Sequence, residues 1–312
     1  MRMVKWSAAF VLVIAFGLAA FVLITAPRAL SDQQLTALTT AGNAQRGEVI
    51  FNAGGCASCH ATPEQEDRTL LGGGLELASA FGTFVVPNIS SHPQDGIGLW
   101  QARDLANAML EGVSPRSEHY YPAFPYAAYT HAKIEDIADL MAYLRTLPSV
   151  EGKTVSHRLS FPFNIRVLIG GWKFLFFDRT PVQDDSTHSA QWNRGRYLVE
   201  ALGHCAECHS PRTALGGIIA AQRFAGGPDP EGKGWVPNLT QHEKGLKDWS
   251  LADIEDVLAS GSTPEGDYVG GSMAKVVRNS AQLSKEDREA MADYIKSLAP
   301  IEGPVRPPRP AF

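Results

Sequence analysis

The sequence has no basic patch and no block of like charge, and its net charge of -5 is mild for 312 residues. We therefore predict no nucleic-acid partner, because such partners require clustered positive charge. The sequence also has no nucleotide-binding glycine loop and no nucleophile paired with a base, so we predict that side chains alone form no catalytic centre. Cysteine is scarce as well. All four cysteines fall within two short motifs, which leaves none for a structural disulfide.

The two cysteine motifs have the same spacing. The first motif consists of Cys56, Cys59 and His60, and the second motif consists of Cys205, Cys208 and His209. A Cys-x-x-Cys-His motif attaches a c-type haem through two thioether bonds, and its histidine is the proximal ligand of the iron. A zinc site would need four ligands close together, and each motif would have to borrow them from a distant copy. A thioredoxin-like site would need a βαβ setting, which is missing. We predict two covalently bound haem c groups.

Both motifs belong to a duplicated segment. Cys56 and Trp100 are 44 positions apart, and so are Cys205 and Trp249. Further short matches recur at an offset that drifts only from 148 to 151. Two copies form a tandem pair and not a solenoid, which needs at least three repeats.

Each copy is predicted to be mainly helical. One helix leads into the first cysteine, a second follows the tryptophan, and the last has apolar residues at helical spacing. No strand pattern of any length is present. The predicted fold is mainly α, with two tandem cytochrome c-like helical domains at 40–152 and 189–303. An apolar linker at 153–188 joins them, and a Pro-rich tail follows at 304–312.

The N-terminal segment 1–30 contains an uncharged run of 21 residues at 6–26, preceded by Arg2 and Lys5. As a helix this run is about 31 Å long, which matches a bilayer core. A cleaved signal peptide has a shorter apolar core and a small-residue cleavage site, which the region around Ala26 matches poorly. We predict an N-terminal transmembrane helix, with a cleaved signal as the alternative. Because positive charge stays inside, both place the haem domains on the periplasmic side of the cell inner membrane.

Further motifs make the chain resemble the dihaem and trihaem cytochrome c subunits of periplasmic alcohol, aldehyde and related dehydrogenases. They lie at 73–74, 81–84, 87–89, 96–100 and 121–126 in the first copy, and at 205–212 and 270–273 in the second. The resemblance covers residues 43–303 and implies the small helical cytochrome c fold, in which the first and last helices cross. Gly47 and Gly195 would let Tyr143 and Tyr294 approach closely at that crossing.

The second copy offers a sixth ligand for its iron. Methionine often occupies this position and raises the reduction potential. Met273 lies in a loop before the last predicted helix, where such cytochromes carry their ligand methionine, and we predict that it binds the iron. Met291 falls on the apolar face of the last helix and is predicted to belong to the core.

The first copy departs from this pattern, because Phe124 stands where Met273 aligns and cannot ligate iron. Met109 and Met141 lie in predicted helices and are expected in the core. The remaining donors nearby are His131 and His119. We predict His131 as the sixth ligand, with His119 or an open coordination position as the alternatives.

Five further residues have predicted roles around the haem groups. Pro87 and Pro237 would each offer a backbone carbonyl to the proximal histidine, which fixes its ring. Trp100 and Trp249 either donate their indole N–H to a haem propionate or only pack. Arg212 either pairs with a propionate or is an exposed surface residue.

The linker contains an apolar stretch at 161–177, interrupted by Asn164, Arg166 and Lys173. It is too short and too charged to span a membrane. Three interpretations are open: it lies at the membrane surface, docks a dehydrogenase, or packs between the haem domains.

The sequence predicts an electron-transfer protein or a subunit of an oxidoreductase complex, and not an enzyme. A periplasmic dehydrogenase would be the donor, and an oxidase, a quinone site or another cytochrome of the respiratory chain would be the acceptor. The alternative is a dihaem redox enzyme of the peroxidase or thiosulfate dehydrogenase type with an open first haem. The missing methionine in the first copy keeps that alternative open.

Overall fold

The computed structural model of this chain describes residues 2–39, 41–153, 155–232 and 234–307. Met1, Thr40 at the start of the predicted first haem domain, and residues 308–312 of the predicted Pro-rich tail lie outside these ranges. The described chain is mainly helical, as predicted. Each copy of the repeat forms its own helical domain, and the linker runs between the two.

The N-terminal helix α1 spans Arg2–Ile24, and the short helix α2 spans Asp32–Leu35. Within the described ranges, no helix combines the length and the apolar character needed to cross a membrane. The predicted N-terminal transmembrane helix is therefore not supported. Directly after α1, the carbonyl oxygen of Thr25 lies 2.8 Å from Nε2 of His119 in the first domain.

The helices of the first domain are α3 (Ala44–Ala53), α4 (Cys56–His60), α5 (Ala102–Glu111), α6 (Tyr126–Tyr129) and α7 (Ile134–Leu144). Helix α3 begins after Asn43, whose side chain accepts a hydrogen bond from the Arg46 N–H at 2.9 Å. Helices α3 and α7 cross at Gly47. A Cβ there would lie 2.0 Å from the Asp139 carbonyl oxygen and 2.8 Å from Cβ of Tyr143. Only glycine permits this approach, as predicted.

The linker helix is α8 (Leu168–Phe176), and the second domain contains α9 (Ala190–Tyr197), α10 (Ala206–His209), α11 (Leu251–Ser260), α12 (Gly271–Ser280) and α13 (Lys285–Lys296). Helices α9 and α13 repeat the crossing of the first domain. A Cβ on Gly195 would lie 1.8 Å from the carbonyl oxygen of Ala290. Tyr294 follows one turn further along α13. The crossing of first and last helices therefore occurs in both domains.

Between the arginine of the first helix and the first motif cysteine, the second domain is one residue longer than the first. Arg46 and Arg194 are 148 positions apart, whereas Cys56 and Cys205 are 149 positions apart. The second domain has a π-helical turn at Leu198–Leu202, directly after α9, while α3 ends without one. A π-turn accommodates one extra residue in a helix, and such turns occur frequently at functional sites. The first step of the drift in the repeat offset, from 148 to 149, therefore has a local structural cause.

Short strands lie between the helices, so the prediction of no strands was wrong. Strands β1 (Glu76–Ser79) and β2 (Gly82–Val85) form an antiparallel hairpin, and β3 (Arg158–Leu159) from the linker pairs with β2. In the second domain β4 (Gly227–Pro228) pairs with β5 (Trp235–Val236). These strands are two to four residues long, which is too short for an alternating pattern to be visible in the sequence.

The linker contacts both domains. The Lys173 ammonium group on α8 donates hydrogen bonds of 2.7 and 2.8 Å to two carbonyls at the C-terminal end of α5. The indole N–H of Trp172 donates to the carbonyl of Leu215 in the second domain at 3.0 Å. These contacts agree with packing between the domains. Phe174 and Leu175 are exposed on the same helix, so docking to a membrane surface or a dehydrogenase remains open.

Candidate haem-attachment sites

The first cysteine motif occupies a single turn of helix. Helix α4 carries Cys56, Cys59 and His60, and Gly55 precedes it with a left-handed φ of 64°. Glycine adopts this conformation at little cost. Positions i, i+3 and i+4 of a helix lie on one face, so the two thiols and the imidazole project to the same side. Neither cysteine forms a disulfide.

The second motif is arranged in the same way. Cys205 is the residue before α10, and Cys208 and His209 lie within that helix. Both thiols are free. Among the described residues, no three His, Cys, Asp or Glu side chains are grouped closely enough to hold a metal ion.

A proline carbonyl orients each motif histidine, as predicted. Nδ1 of His60 lies 2.9 Å from the carbonyl oxygen of Pro87, and Nδ1 of His209 lies 2.8 Å from that of Pro237. A carbonyl can only accept, so the proton is on Nδ1 and the lone pair is on Nε2. Each imidazole therefore offers Nε2 to a metal, and its orientation is fixed by the second nitrogen.

The protonation states also suit haem binding. Burial lowers the pKa of His60 and of His209, and the hydrogen bond to the proline carbonyl opposes this shift. Both imidazoles are therefore neutral at neutral pH, as metal ligation requires. Burial raises the pKa of Cys56 and of Cys205 to about 12, so these thiols are protonated and not reactive thiolates.

A glycine with positive φ supports each proximal histidine. The Gly73 N–H donates to the His60 carbonyl at 2.9 Å, and the Gly226 N–H donates to the His209 carbonyl at 2.8 Å. Their φ angles are 68° and 74°. A Cβ on Gly73 would lie 2.4 Å from the carbonyl carbon of Pro87. The absence of a side chain thus lets the proline loop pack directly against the motif helix.

A buried hydrogen-bond donor, the Nε–H of Arg212, is also suited to binding a haem propionate. Nε of Arg212 is buried and has no hydrogen-bond partner in the described part of the chain, although another nitrogen of the same guanidinium donates to the Gly216 carbonyl at 2.6 Å. A propionate would satisfy such a donor. Trp100 and Trp249 pack against the hydrophobic core. Hydrogen bonds from these three side chains to propionates stay predictions.

Met273 lies in the first turn of α12 and not in the loop expected from the sequence. The difference arises because Gly271, with a φ of 57°, begins the helix and does not interrupt it. Met291 is buried on α13, in agreement with its predicted core position. Iron ligation by Met273 stays a prediction.

The aligned position of the first domain holds an aromatic cluster. The ring of Phe124 lies 5.8 Å, centroid to centroid, from the rings of both Tyr120 and Tyr129. Met109 and Met141 are buried within α5 and α7, as predicted for core residues. Neither methionine lies in a loop that replaces Met273.

Both candidate histidines of the first domain contact backbone carbonyls. Nδ1 of His131 lies 2.5 Å from the carbonyl oxygen of Thr180, and Nε2 of His119 lies 2.8 Å from that of Thr25. His119 is only 4% exposed, and its Nδ1 has no hydrogen-bond partner within the described ranges. The sixth ligand of the first haem, whether His131, His119 or none, stays a prediction.

Two ion pairs that were not predicted from the sequence hold the crossing helices together. The Arg46 guanidinium donates to the Asp139 carboxylate at 2.6 and 2.9 Å, and Arg194 donates to Asp287 at 2.7 and 2.8 Å. Both pairs are bidentate. The two arginines recur at an offset of 148, but the two aspartates are not equivalent: at the offset of 151 that relates Tyr143 to Tyr294, Asp139 aligns with Ala290. The repeat alignment therefore did not indicate the partners of the arginines.

The chain is similar to known proteins along both domains. A family model described as Cytochrome c matches residues 44–148 and again residues 193–299. A diheme cytochrome c-type protein of Cereibacter sphaeroides is 50% identical over 274 residues, which cover 87% of this chain and 91% of that protein.

Two further relatives are named as parts of dehydrogenases. A nicotinate dehydrogenase subunit of Pseudomonas putida is 37% identical over 81% of this chain and 21% of its own length. The fructose dehydrogenase cytochrome subunit of Gluconobacter japonicus is 34% identical over 81% of this chain and 52% of its own length. The chain thus spans about half, or less, of these two relatives.

Proposed function

This chain belongs to the cytochrome c family and binds two covalent c-type haems, and we propose that it transfers electrons as the cytochrome subunit of a periplasmic dehydrogenase. The observation that carries the proposal is the duplicated geometry of His60 with Pro87 and of His209 with Pro237. Both histidines are held in the same tautomer by a fixed carbonyl. A pair of equivalent, rigid haem sites suits repeated one-electron exchange without bond making.

The residues of this chain attach, ligate and orient the haem, and the bound haem supplies the one-electron chemistry. Each cysteine pair attaches the macrocycle, and each motif histidine binds the iron on one side. The proline carbonyls hold the imidazole rings and make them more basic. Met273 is the proposed sixth ligand of the second haem.

The donor in this proposal is a dehydrogenase, supported by relatives named as cytochrome subunits of fructose, alcohol and gluconate dehydrogenases. The acceptor is an oxidase, a quinone site or another cytochrome of the respiratory chain. We place the haem domains on the periplasmic side of the inner membrane, because Arg2 and Lys5 precede the apolar N-terminal run and positive charge is retained in the cytoplasm.

Co-purification of the chain from native cells tests the proposed partner. The complex should contain a dehydrogenase, and addition of that enzyme's substrate should reduce both haems. A chain that purifies alone, and whose haems stay oxidised with every dehydrogenase from the same cells, would contradict the proposal. Fractionation of the same cells tests the proposed location, which recovery of the chain with cytoplasmic proteins would contradict.

A second candidate function, a dihaem redox enzyme, has one observation in its favour. Phe124 replaces the expected methionine, and His131 and His119 are each hydrogen-bonded to a backbone carbonyl. An iron without a side chain as sixth ligand would be open to a substrate. Carbon monoxide added to the reduced protein separates the two candidates, because it binds quickly only at an open iron.

A further inference from the structure

The two haem-attachment motifs meet at the interface between the domains. Ser58, which lies between Cys56 and Cys59, accepts a hydrogen bond of 2.6 Å from the side-chain amide of Asn279. Its own hydroxyl donates to the carbonyl of Lys275 at 3.3 Å. Asn279 and Lys275 both lie on α12, the helix that carries Met273. The first attachment helix therefore docks on the helix that holds the proposed ligand of the second haem.

An aromatic pair forms a second contact at the same interface. His204, the residue before Cys205, places its ring 5.6 Å from the ring of Tyr129, at an angle of 87°. The Tyr129 hydroxyl donates to the Gly54 carbonyl at 2.7 Å, two residues before Cys56. Tyr129 is only 5% exposed. A continuous set of contacts thus connects the backbone beside one attachment cysteine to the backbone beside the other.

The backbone at His204 is unusual. Its φ is 41°, in the left-handed region, and the equivalent residue of the first domain is Gly55 with a φ of 64°. Glycine takes this conformation freely, whereas a residue with a Cβ does so only where its surroundings enforce it. The π-turn at Leu198–Leu202 ends two residues earlier. The second copy therefore has an inserted residue and a strained backbone conformation at the place where the two motifs meet.

The ring of His204 also approaches the first motif directly. Its Nε2 lies 3.9 Å from the position that a Cβ on Gly55 would occupy. The first domain thus has a glycine at the position before its first motif cysteine, whereas the second domain has a histidine whose ring lies between the two motifs. An observed backbone outlier of this kind, in contact with two cofactor motifs, points to a functional constraint.

We propose that His204 is the bridging residue through which electrons pass between the two haem sites, by way of the Tyr129 ring and the Gly54 carbonyl. The inference rests on the proposed function, because it requires electron exchange between two bound haems. In each transfer one iron is oxidised from Fe(II) to Fe(III) and the other is reduced from Fe(III) to Fe(II). One electron moves, and no proton moves and no bond forms or breaks.

Flash reduction of the holoprotein by a flavin semiquinone tests the bridge. After the flash, absorbance at wavelengths where the two haems differ reports the interhaem step. His204→Gly restores the residue of the first domain, and His204→Asn keeps a side chain that tolerates positive φ but has no ring. Both should slow the interhaem step severalfold. The midpoint potentials and visible spectra of both haems should not change.

Two further variants separate bridging from packing. His204→Phe keeps a ring and should retain the wild-type interhaem rate. Phenylalanine already occurs at positive φ in this chain, at Phe224 with a φ of 64°. His188→Asn is the matched control, because it removes a histidine at the end of the linker whose ring stacks at 3.8 Å on Trp192 of α9 and not on Tyr129. It should not change the interhaem rate.

A fast interhaem step that is unchanged in His204→Gly and His204→Asn would overturn the bridge and leave the proposed function intact. Slowing by the same factor in His204→Phe would also overturn it, since the ring would then not matter. A wild-type protein with no interhaem step at all would overturn both the bridge and the proposed transfer between the haems.

Discussion

Replacement of Gly73 by alanine should destabilise the first haem domain and alter its redox centre. Gly73 has a φ of 68°, and a Cβ there would lie 2.4 Å from the carbonyl carbon and 2.5 Å from the carbonyl oxygen of Pro87. The left-handed conformation costs an L-residue about 1–2 kcal/mol. Overpacking against the proline loop adds about 1–3 kcal/mol. The total of about 2–5 kcal/mol is a large part of the stability of a typical domain, about 5–15 kcal/mol.

Gly74→Ala is the matched control for this prediction. Gly74 also has a positive φ, 95°, but a Cβ there would lie 3.9 Å from the nearest atom, Cδ of Pro63. Its replacement should therefore cost only the backbone contribution of about 1–2 kcal/mol. Denaturant titration of the two variants, followed through the first haem's absorbance, measures the difference. Equal stability of Gly73→Ala and Gly74→Ala would refute the steric argument.

Gly73→Ala should also change the potential of the first haem. A displaced Pro87 carbonyl no longer accepts the full hydrogen bond from His60, so the imidazole becomes a less basic ligand. A less basic ligand stabilises ferric iron less, and the potential should rise. The second haem should keep its potential, because His209 has its own carbonyl partner at 2.8 Å. Redox titration that shows an unchanged first potential, or equal shifts in both, would contradict this reasoning.

Three further predictions concern the ligands and the helix crossing. Met273→Ala should remove the methionine-to-iron band at the red end of the spectrum and lower the second haem's potential; an unchanged band would mean that another group is the ligand. The electron paramagnetic resonance spectrum of the wild type should contain a low-spin bis-nitrogen signal, which should be lost in His131→Ala and kept in His119→Ala. Two His–Met signals in the wild type would contradict ligation by His131. Arg46→Ala should lower the free energy of unfolding, because it removes the bidentate partner of the almost fully buried Asp139 carboxylate; unaltered stability would rule out a structural role for this pair.

Both haem-attachment sites could be predicted from the sequence because their chemistry is local. The cysteines and histidines of each motif lie within one helical turn, so spacing alone places them on one face. The proline carbonyls could also be predicted, because Pro87 and Pro237 lie in short segments that match between the two copies. The close crossing at Gly47 and Gly195 was expected from the resemblance to cytochrome c subunits, whose first and last helices cross.

The interface between the domains could not be predicted in the same way. The contact of Ser58 with Asn279 joins residues that are far apart in sequence, and no periodicity encodes it. The change from Gly55 to His204 between the copies was the available signal, together with the extra residue between Arg194 and Cys205. Such a signal becomes interpretable only when the positive φ of His204 and its contact with Tyr129 are known.

The N-terminal transmembrane helix was predicted from the length of an apolar run. The run at 6–26 has the length of a bilayer core, yet no helix in the described ranges meets the requirements for crossing a membrane. The short strands, in contrast, are present in the structure but were not predicted from the sequence. Pairing between Glu76 and Val85 is set by backbone geometry over only four residues, where hydrophobic alternation carries no information.

Coulometric titration of the purified holoprotein determines whether this chain is a two-haem electron carrier. We expect two electrons per chain, taken up in two one-electron steps, with both steps visible in the absorbance of c-type haem. Both steps should be reversible and should not require added substrate. Uptake of only one electron per chain, or a step that proceeds only when a substrate is consumed, would contradict the assignment of this chain as a two-haem carrier.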